Sequence, residues 1–280
     1  MRAVSRRRAT IVGAATLAVV VGATGVGVAQ SGKGKGKIVA DAGQLSRIEA
    51  TKIARTIAGP KVIRSAAFAA RPPYGRVAAR STKPLTGFPL SGPSYMILSN
   101  GNALFADDKN TGPAKGQNAG GPAIRGARDV TIFRMNIRVP KGRNCLDLRF
   151  RFLTEEFPEF VNEEFNDAFI AEVDQTTWDT RPVGDPSIEA DRNFATDTKG
   201  NRISVNAVGD ASVNAKRAKG TTYDGATRRL RASTRITPGG HRLYLSIFDQ
   251  GDRQYDSAVF VDRLSFRKAA VCENGAVSDE

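Results

Sequence analysis

Two stretches, 133–139 and 146–152, alternate apolar and polar residues without a break. Phe133, Met135, Ile137 and Val139 are separated by Arg134, Asn136 and Arg138, and Leu146, Leu148, Phe150 and Phe152 by Asp147, Arg149 and Arg151. A period of two puts every apolar side chain on one face of an extended chain, so each stretch requires a strand with one buried face. The pattern returns in Leu230, Ala232, Thr234 and Ile236, in Leu243, Leu245 and Ile247, and over 258–266. Shorter apolar runs at 62–68, 95–98, 165–173 and 203–208 add strands between turn signals. Helical spacing occurs once, over 42–57, where Ala50, Ile53, Ala54, Ile57 and Ala58 form a stripe that Gly59-Pro60 ends. The expected fold is all-β: a two-sheet antiparallel jelly-roll-like sandwich with one short N-terminal helix.

Between the strand at 146–152 and the next lies an acidic run, residues 154–169, with five Glu and one Asp in sixteen residues, interleaved with Phe157, Phe160, Phe165 and Phe169. Carboxylates crowded in one loop repel one another and raise each other's pKa unless a cation compensates. A second carboxylate-rich turn, Asp249-Gln-Gly-Asp-Arg-Gln-Tyr-Asp256, joins the strands at 243–247 and 258–266. Its acids sit three and four residues apart around Gly251, without the spacing of an EF-hand loop. The expectation is that the two turns meet and share Ca²⁺, with Glu155, Glu156, Asn166, Asp167, Asp249, Asp252 and Asp256 as oxygen ligands. The competing reading is a solvated acidic loop and ordinary Asx turns. Phe157 and Phe160 are expected as loop anchors, and Glu159, Asn162, Glu163 and Glu164 as solvent-facing residues.

The chain of 280 residues opens with four Arg and no acid in its first 29 positions, around an uncharged apolar run that ends in Gly27-Val-Ala29. This is the pattern of an export signal, and an uncleaved run of that length is also long enough to hold the chain to a membrane. Residues 30–44 read as a basic Gly/Lys linker, 45–270 as the folded domain and 271–280 as a C-terminal tail. The formal charge of +14 is local: residues 91–280 carry twenty-six Lys and Arg against twenty-six Asp and Glu. The basic residues over 33–83 suit an anionic polymer of the envelope. With no basic reading element and no interleaved aromatics, nucleic acid is not an expected partner.

Two cysteines, Cys145 and Cys272, suit an oxidising compartment, and a disulfide between them would close a loop of more than a hundred residues. Two Cys and the single His241 do not make a zinc site. A Ser-His-Asp hydrolase would need His241 and a Gly-x-Ser-x-Gly elbow, and the elbow is missing. No Gly-rich phosphate-binding loop occurs in a strand-to-helix context.

The acidic run and the second turn carry a resemblance. Thr154-Glu-Glu-Phe-Pro-Glu-Phe-Val161, Phe165-Asn-Asp-Ala-Phe169 and Asp249-Gln-Gly-Asp-Arg-Gln-Tyr-Asp-Ser-Ala-Val-Phe260 are similar to the signature blocks of the choice-of-anchor L domain, as are Ile203-Ser-Val-Asn-Ala-Val-Gly209 and Tyr223-Asp-Gly-Ala-Thr227. The similarity runs from about Leu45 to Phe266. It implies an exported bacterial β-sandwich, secreted or displayed on the cell surface. The family is named for varied C-terminal sorting signals, whereas residues 273–280 show no apolar tail and no sorting motif. The expectation is therefore release, or attachment through the N-terminal segment. Taken together, these features predict a non-catalytic secreted or cell-surface module, Ca²⁺-stabilised, for adhesion, matrix or the binding of an extracellular glycan or protein. The alternative is a secreted glycoside hydrolase or lyase using paired carboxylates.

Overall fold

The computed structural model describes residues 36–40, 46–111, 116–180, 188–197 and 199–280. The expected export signal at 1–29 and most of the expected linker lie outside the described residues. In chain order the elements are β1 (Ile38–Ala40), α1 (Arg47–Ala54), β2 (Ile63–Ala70), β3 (Ala78–Ser81), β4 (Tyr95–Ser99), β5 (Arg128–Val139), β6 (Cys145–Thr154), β7 (Ala168–Val173), β8 (Asp179–Thr180), β9 (Ile188–Glu189), β10 (Ile203–Ser204), β11 (Gly225–Ala226), β12 (Leu230–Arg235), β13 (Gly239–Asp249), β14 (Ser257–Arg267) and β15 (Gly275–Ser278). Among the described residues, no helix is long and apolar enough to cross a membrane.

The strands form an antiparallel sandwich of the expected class. One sheet runs β1-β3-β4-β14-β6-β12-β15, with β11 also paired to β6, and the facing sheet runs β10-β7-β13-β5-β2. The alternating residues decide which face is inside. Phe133, Met135 and Ile137 from one sheet meet Leu146, Leu148, Phe150 and Phe152 from the other in a single apolar core. β4, β6, β12 and β14 belong to the first sheet and β5, β7 and β13 to the second, so the chain changes sheet at connection after connection, in jelly-roll fashion. α1 closes one edge of this core through Ala50, Ile53 and Ala54. It starts where Ser46 and Glu49 form a reciprocal capping box, with the Glu49 amide donating to Ser46 Oγ and the Ser46 amide to Glu49 Oε2.

The structure corrects several boundaries. The helix covers Arg47–Ala54 rather than 42–57, because its start is set by the Ser46 cap. The run at 203–208 pairs over Ile203–Ser204 only. Part of the linker is a strand: Ile38 is buried and β1 pairs with β3. The tail also contributes, since β15 adds to the outer edge of β12. Strands of three and four residues are too short to show a period of two, so neither left a mark in the alternation. Trp178, a lone loop residue in the sequence, is fully buried on the outer face of the second sheet. It stacks on Phe248 at 4.2 Å, and its Nε1 donates to Ser246 Oγ at 3.0 Å.

Cys145, at the start of β6, is disulfide-bonded to Cys272 across 127 positions. Closing a loop of that length restricts the unfolded chain by about 4–5 kcal/mol in the chain-entropy model. Replacing both cysteines by Ser should therefore lower the melting temperature by about 10 °C under oxidising conditions. A calorimetric scan that finds the two proteins equally stable would remove this role.

Candidate functional site

The register of the two sheets brings the acidic turns together. In the first sheet Thr154 of β6 lies opposite Ser257 of β14. In the second, Ala168 of β7 lies opposite Phe248 of β13. The chain leaves β6 and enters β7 through residues 155–167, and leaves β13 and enters β14 through 250–256. Both connections thus cross between the sheets at one end of the sandwich, side by side. Backbone bonds extend the pairing into them: the Glu155 amide donates to the Asp256 carbonyl at 3.2 Å, and the Asn166 amide to the Gln250 carbonyl at 3.2 Å. Aromatic rings lock the outer part of the rim, with Phe160 packed against Phe165 at 5.3 Å and Tyr255 at 5.0 Å.

Within this rim the acids occupy different environments. Glu156 and Asp167 are 0 % exposed and Asp249 is 2 % exposed, so all three have lost their hydration. Asp167 Oδ2 accepts from Asn100 Nδ2 at 2.7 Å, and its Oδ1 from the Gln250 amide at 3.3 Å. Glu156 Oε2 accepts from the Asp167 amide at 3.2 Å, whereas its buried Oε1 has no hydrogen-bond partner. Asp249 Oδ1 accepts from the Asp252 amide at 3.2 Å, and Asp252 itself is half-buried, bonded to the Gln254 amide. Burial pushes the carboxyls of Glu156, Asp167 and Asp249 well above the ordinary range, and their mutual repulsion, with that of Asp252, pushes further in the same direction.

The remaining predicted residues frame this group. Asp256 Oδ1 accepts from the Gln117 amide at 2.9 Å and Oδ2 from the Asn102 amide at 3.2 Å, yet burial still pushes its carboxyl up to about 7. Its approach depends on Gly101, where an added Cβ would fall 1.8 Å from Asp256 Oδ2. Glu155 accepts from Thr222 Oγ1 at 3.1 Å, and Asn166 Oδ1 from the Asn206 amide at 3.3 Å. Glu159, Asn162, Glu163 and Glu164 face solvent, and Phe160 is a half-buried anchor. Among the described residues, no group of three or more His, Cys, Asp and Glu side chains is placed so that it could hold a metal ion.

Two contributors were not visible as such in the sequence. Asn100 reads there as a turn residue. In the structure it joins the sheets, accepting from the Ser257 amide at 2.7 Å while donating to Asp167. Asp129 is buried and binds Arg253 Nη1 at 2.6 Å. That contact commits the one cation within the second turn, and Arg253 also donates to the Gly121 carbonyl. Arg253 is therefore paired with a carboxylate outside the acidic run. The Asn-Gly dipeptide at 100–101 was the only signal for this corner of the site.

An antiparallel sandwich whose sheet-crossing connections carry the acidic blocks at one rim defines the class. The chain belongs to the choice-of-anchor L domain family, which matches residues 82–267, and the family is associated with surface and extracellular proteins. The folded unit extends beyond that span at both ends, through β1, α1 and β2 and through β15. The stretches at 203–209 and 223–227 that shared in the resemblance reach the same rim: the Val205 amide donates to the Asp167 carbonyl, and the Asp224 amide to the Thr154 carbonyl. No curated protein matches the chain. Among solved structures, the enzymatically active domain of bacteriophage CBA120 tailspike protein 4 is 10 % identical, over 78 % of this chain and 22 % of that one, with a TM-score of 0.28. At that score the likeness carries no argument.

A carboxyl whose pKa is higher in the fold than in the unfolded chain binds extra protons when folded. Its contribution is full below the ordinary carboxylate range and is lost as pH rises through the folded value. In buffer free of divalent ions, the melting temperature should fall by several degrees between pH 4.5 and pH 7.5, the window that Asp256 and its raised neighbours define. A melting temperature that rises steadily over that window would contradict the burial described here.

Proposed function

We propose that the chain is a non-catalytic extracellular module, secreted or displayed at the cell surface for adhesion or the binding of a glycan or protein, whose acidic rim takes up Ca²⁺. The observation that carries the metal part is Glu156 Oε1: fully buried, without a partner, and facing the like charges of Asp249 and Asp252. A buried carboxylate oxygen without a donor costs free energy that either a proton or a cation removes. Ca²⁺ suits the oxygen-only donor set, with Glu156, Asp167, Asp249 and Asp252 as the inner candidates and Glu155, Asn166 and Asp256 as their frame. Because no three of these side chains are placed to hold an ion as they stand, binding would have to draw the two connections closer together.

The test uses Glu156→Gln. In chelator the variant should melt above the wild type, since an amide donates to a neighbouring carboxylate where the acid was repelled. In millimolar Ca²⁺ the wild type should gain several degrees and the variant should not. If the variant is the more stable protein in both buffers and Ca²⁺ shifts neither, the cluster holds protons instead and the metal part of the proposal fails.

The raised carboxyls also favour one rival, a hydrolase with a protonated general acid. Burial opposes it: an acid that is 0 % exposed has no substrate to protonate. Incubation with a panel of plant, algal and bacterial polysaccharides should release no reducing ends. Turnover that Asp249→Asn abolishes while the fold survives would make the protein an enzyme.

A further inference from the structure

The end of the sandwich opposite the acidic rim has the reverse character. There, on the outer face of the second sheet, Arg64, Asn136, Arg138 and Arg242 line a groove of ≈ 580 Å³. Three features of the strands create it. Ile137 and Val139 are in the core, so their neighbours Asn136 and Arg138 point outward. Arg138 lies opposite Gly240 on β13, where the missing side chain leaves room, and Asn136 lies opposite Arg242. On β2 the register shifts between Ile63 and Ser65, so Arg64 is the extra residue of a bulge, a device that re-aims a side chain.

The groove's wall is the His241–Asp174 pair, whose carboxylate is bonded to the ring and to a backbone amide and also feels the charge of Arg192. Asp174 Oδ2 contacts His241 Nδ1 at 2.8 Å, Oδ1 accepts from the Arg242 amide at 3.0 Å, and His241 Nε2 contacts the Thr237 carbonyl at 2.9 Å. Beyond that wall a second hollow of ≈ 370 Å³ is lined by Arg192 and Arg235. All five arginines are exposed. Among the described residues, none of their guanidinium groups takes part in a salt bridge. Among the described residues, five guanidinium groups outside any salt bridge flank one wall, and four of them belong to residues 91–280, whose overall charge balances.

We propose that this paired groove binds a linear polyanionic polysaccharide, through carboxylate or sulfate groups held by Arg64, Arg138 and Arg242 on one side of the His241–Asp174 wall and by Arg192 and Arg235 on the other. Guanidinium forks match planar or tetrahedral oxyanions bidentately, and two hollows sharing one wall suit a chain of repeating charges better than one small anion. Nucleic acid offers the same charge, but its bases would find no stacking surface. Apart from the engaged ring of His241, no aromatic side chain lines the first hollow, and Phe194, which lines the second, is buried. The choice of an extracellular polymer rests on the proposed function. The groove itself is independent of the acidic rim, so Ca²⁺ dependence can fail while the groove stands, and the reverse.

The experiment measures binding of the full chain to polygalacturonate, to heparin and to a twenty-residue oligothymidylate, each at two salt concentrations. Polygalacturonate probes a carboxylated glycan and heparin a sulfated one. Wild type should bind at least one glycan, with affinity that falls as salt rises. The double substitution Arg138→Gln, Arg242→Gln should weaken it about tenfold or more and flatten the salt dependence. Lys216→Gln with Lys219→Gln removes the same charge from exposed positions beside β11, near the acidic rim, and should change it little. The exposure of all four side chains lets thermal melts confirm that both variants fold. Equal losses in the two variants would reduce the effect to net charge. Absence of glycan binding, or oligothymidylate bound as tightly through the same arginines, would overturn the assignment.

Discussion

Two backbone hydrogen bonds, from the Glu155 amide to the Asp256 carbonyl and from the Asn166 amide to the Gln250 carbonyl, carry the pairing of each sheet into the connections that leave it. Because those connections run side by side, each sheet constrains the position of the other at this end. Asn100 completes the arrangement by bonding Ser257 of the first sheet and Asp167 at the edge of the second. The geometry is demanding: it leaves Glu156, Asp167 and Asp249 out of water with mainly backbone amides and one another for company. Secondary structure gathers these acids, and electrostatics works against their staying together.

The strands of the core were legible because alternation is a local property. Phe133 to Val139 and Leu146 to Phe152 declare their inner face without any knowledge of partners, whereas the start of α1, read at residue 42, is set by the Ser46 cap. Pairing across the sandwich is a different matter. That Phe248 would lie opposite Ala168 and Ser257 opposite Thr154 depends on the whole topology, and spacing along the chain carries no trace of it. The acidic blocks were recognisable as chemistry, whereas their shared rim followed only from the two registers taken together. Asn100 and Asp129 were missed because a single polar residue beside a turn has no periodic signature. The edge strands β1 and β15 were missed because they are too short to have one.

Charge shows how far an average can mislead. Residues 91–280 are balanced in sign, yet buried carboxyls collect at one end of β13, around Asp249, and exposed arginines at the other, around Arg242. Asp249 and Arg242 are seven residues apart on β13, so the two regions lie about 23 Å apart. The ends also differ in kind. Acids withdrawn from water respond to protons or to an ion seated among them, while arginines held in water respond to what diffuses past. On the two proposals made above, ion uptake at one pole and polymer binding at the other are separate events.

Trp178 is the sole tryptophan of the chain, and its indole lies against Phe248, the residue directly before Asp249. The molecule therefore carries an intrinsic fluorophore at the foot of the acidic rim. With Ser246 holding its ring nitrogen and Arg125 5.2 Å above its face, the indole has little freedom of its own. A change in its emission during titration would report movement of the rim itself, so occupancy there can be followed in dilute solution with no label attached.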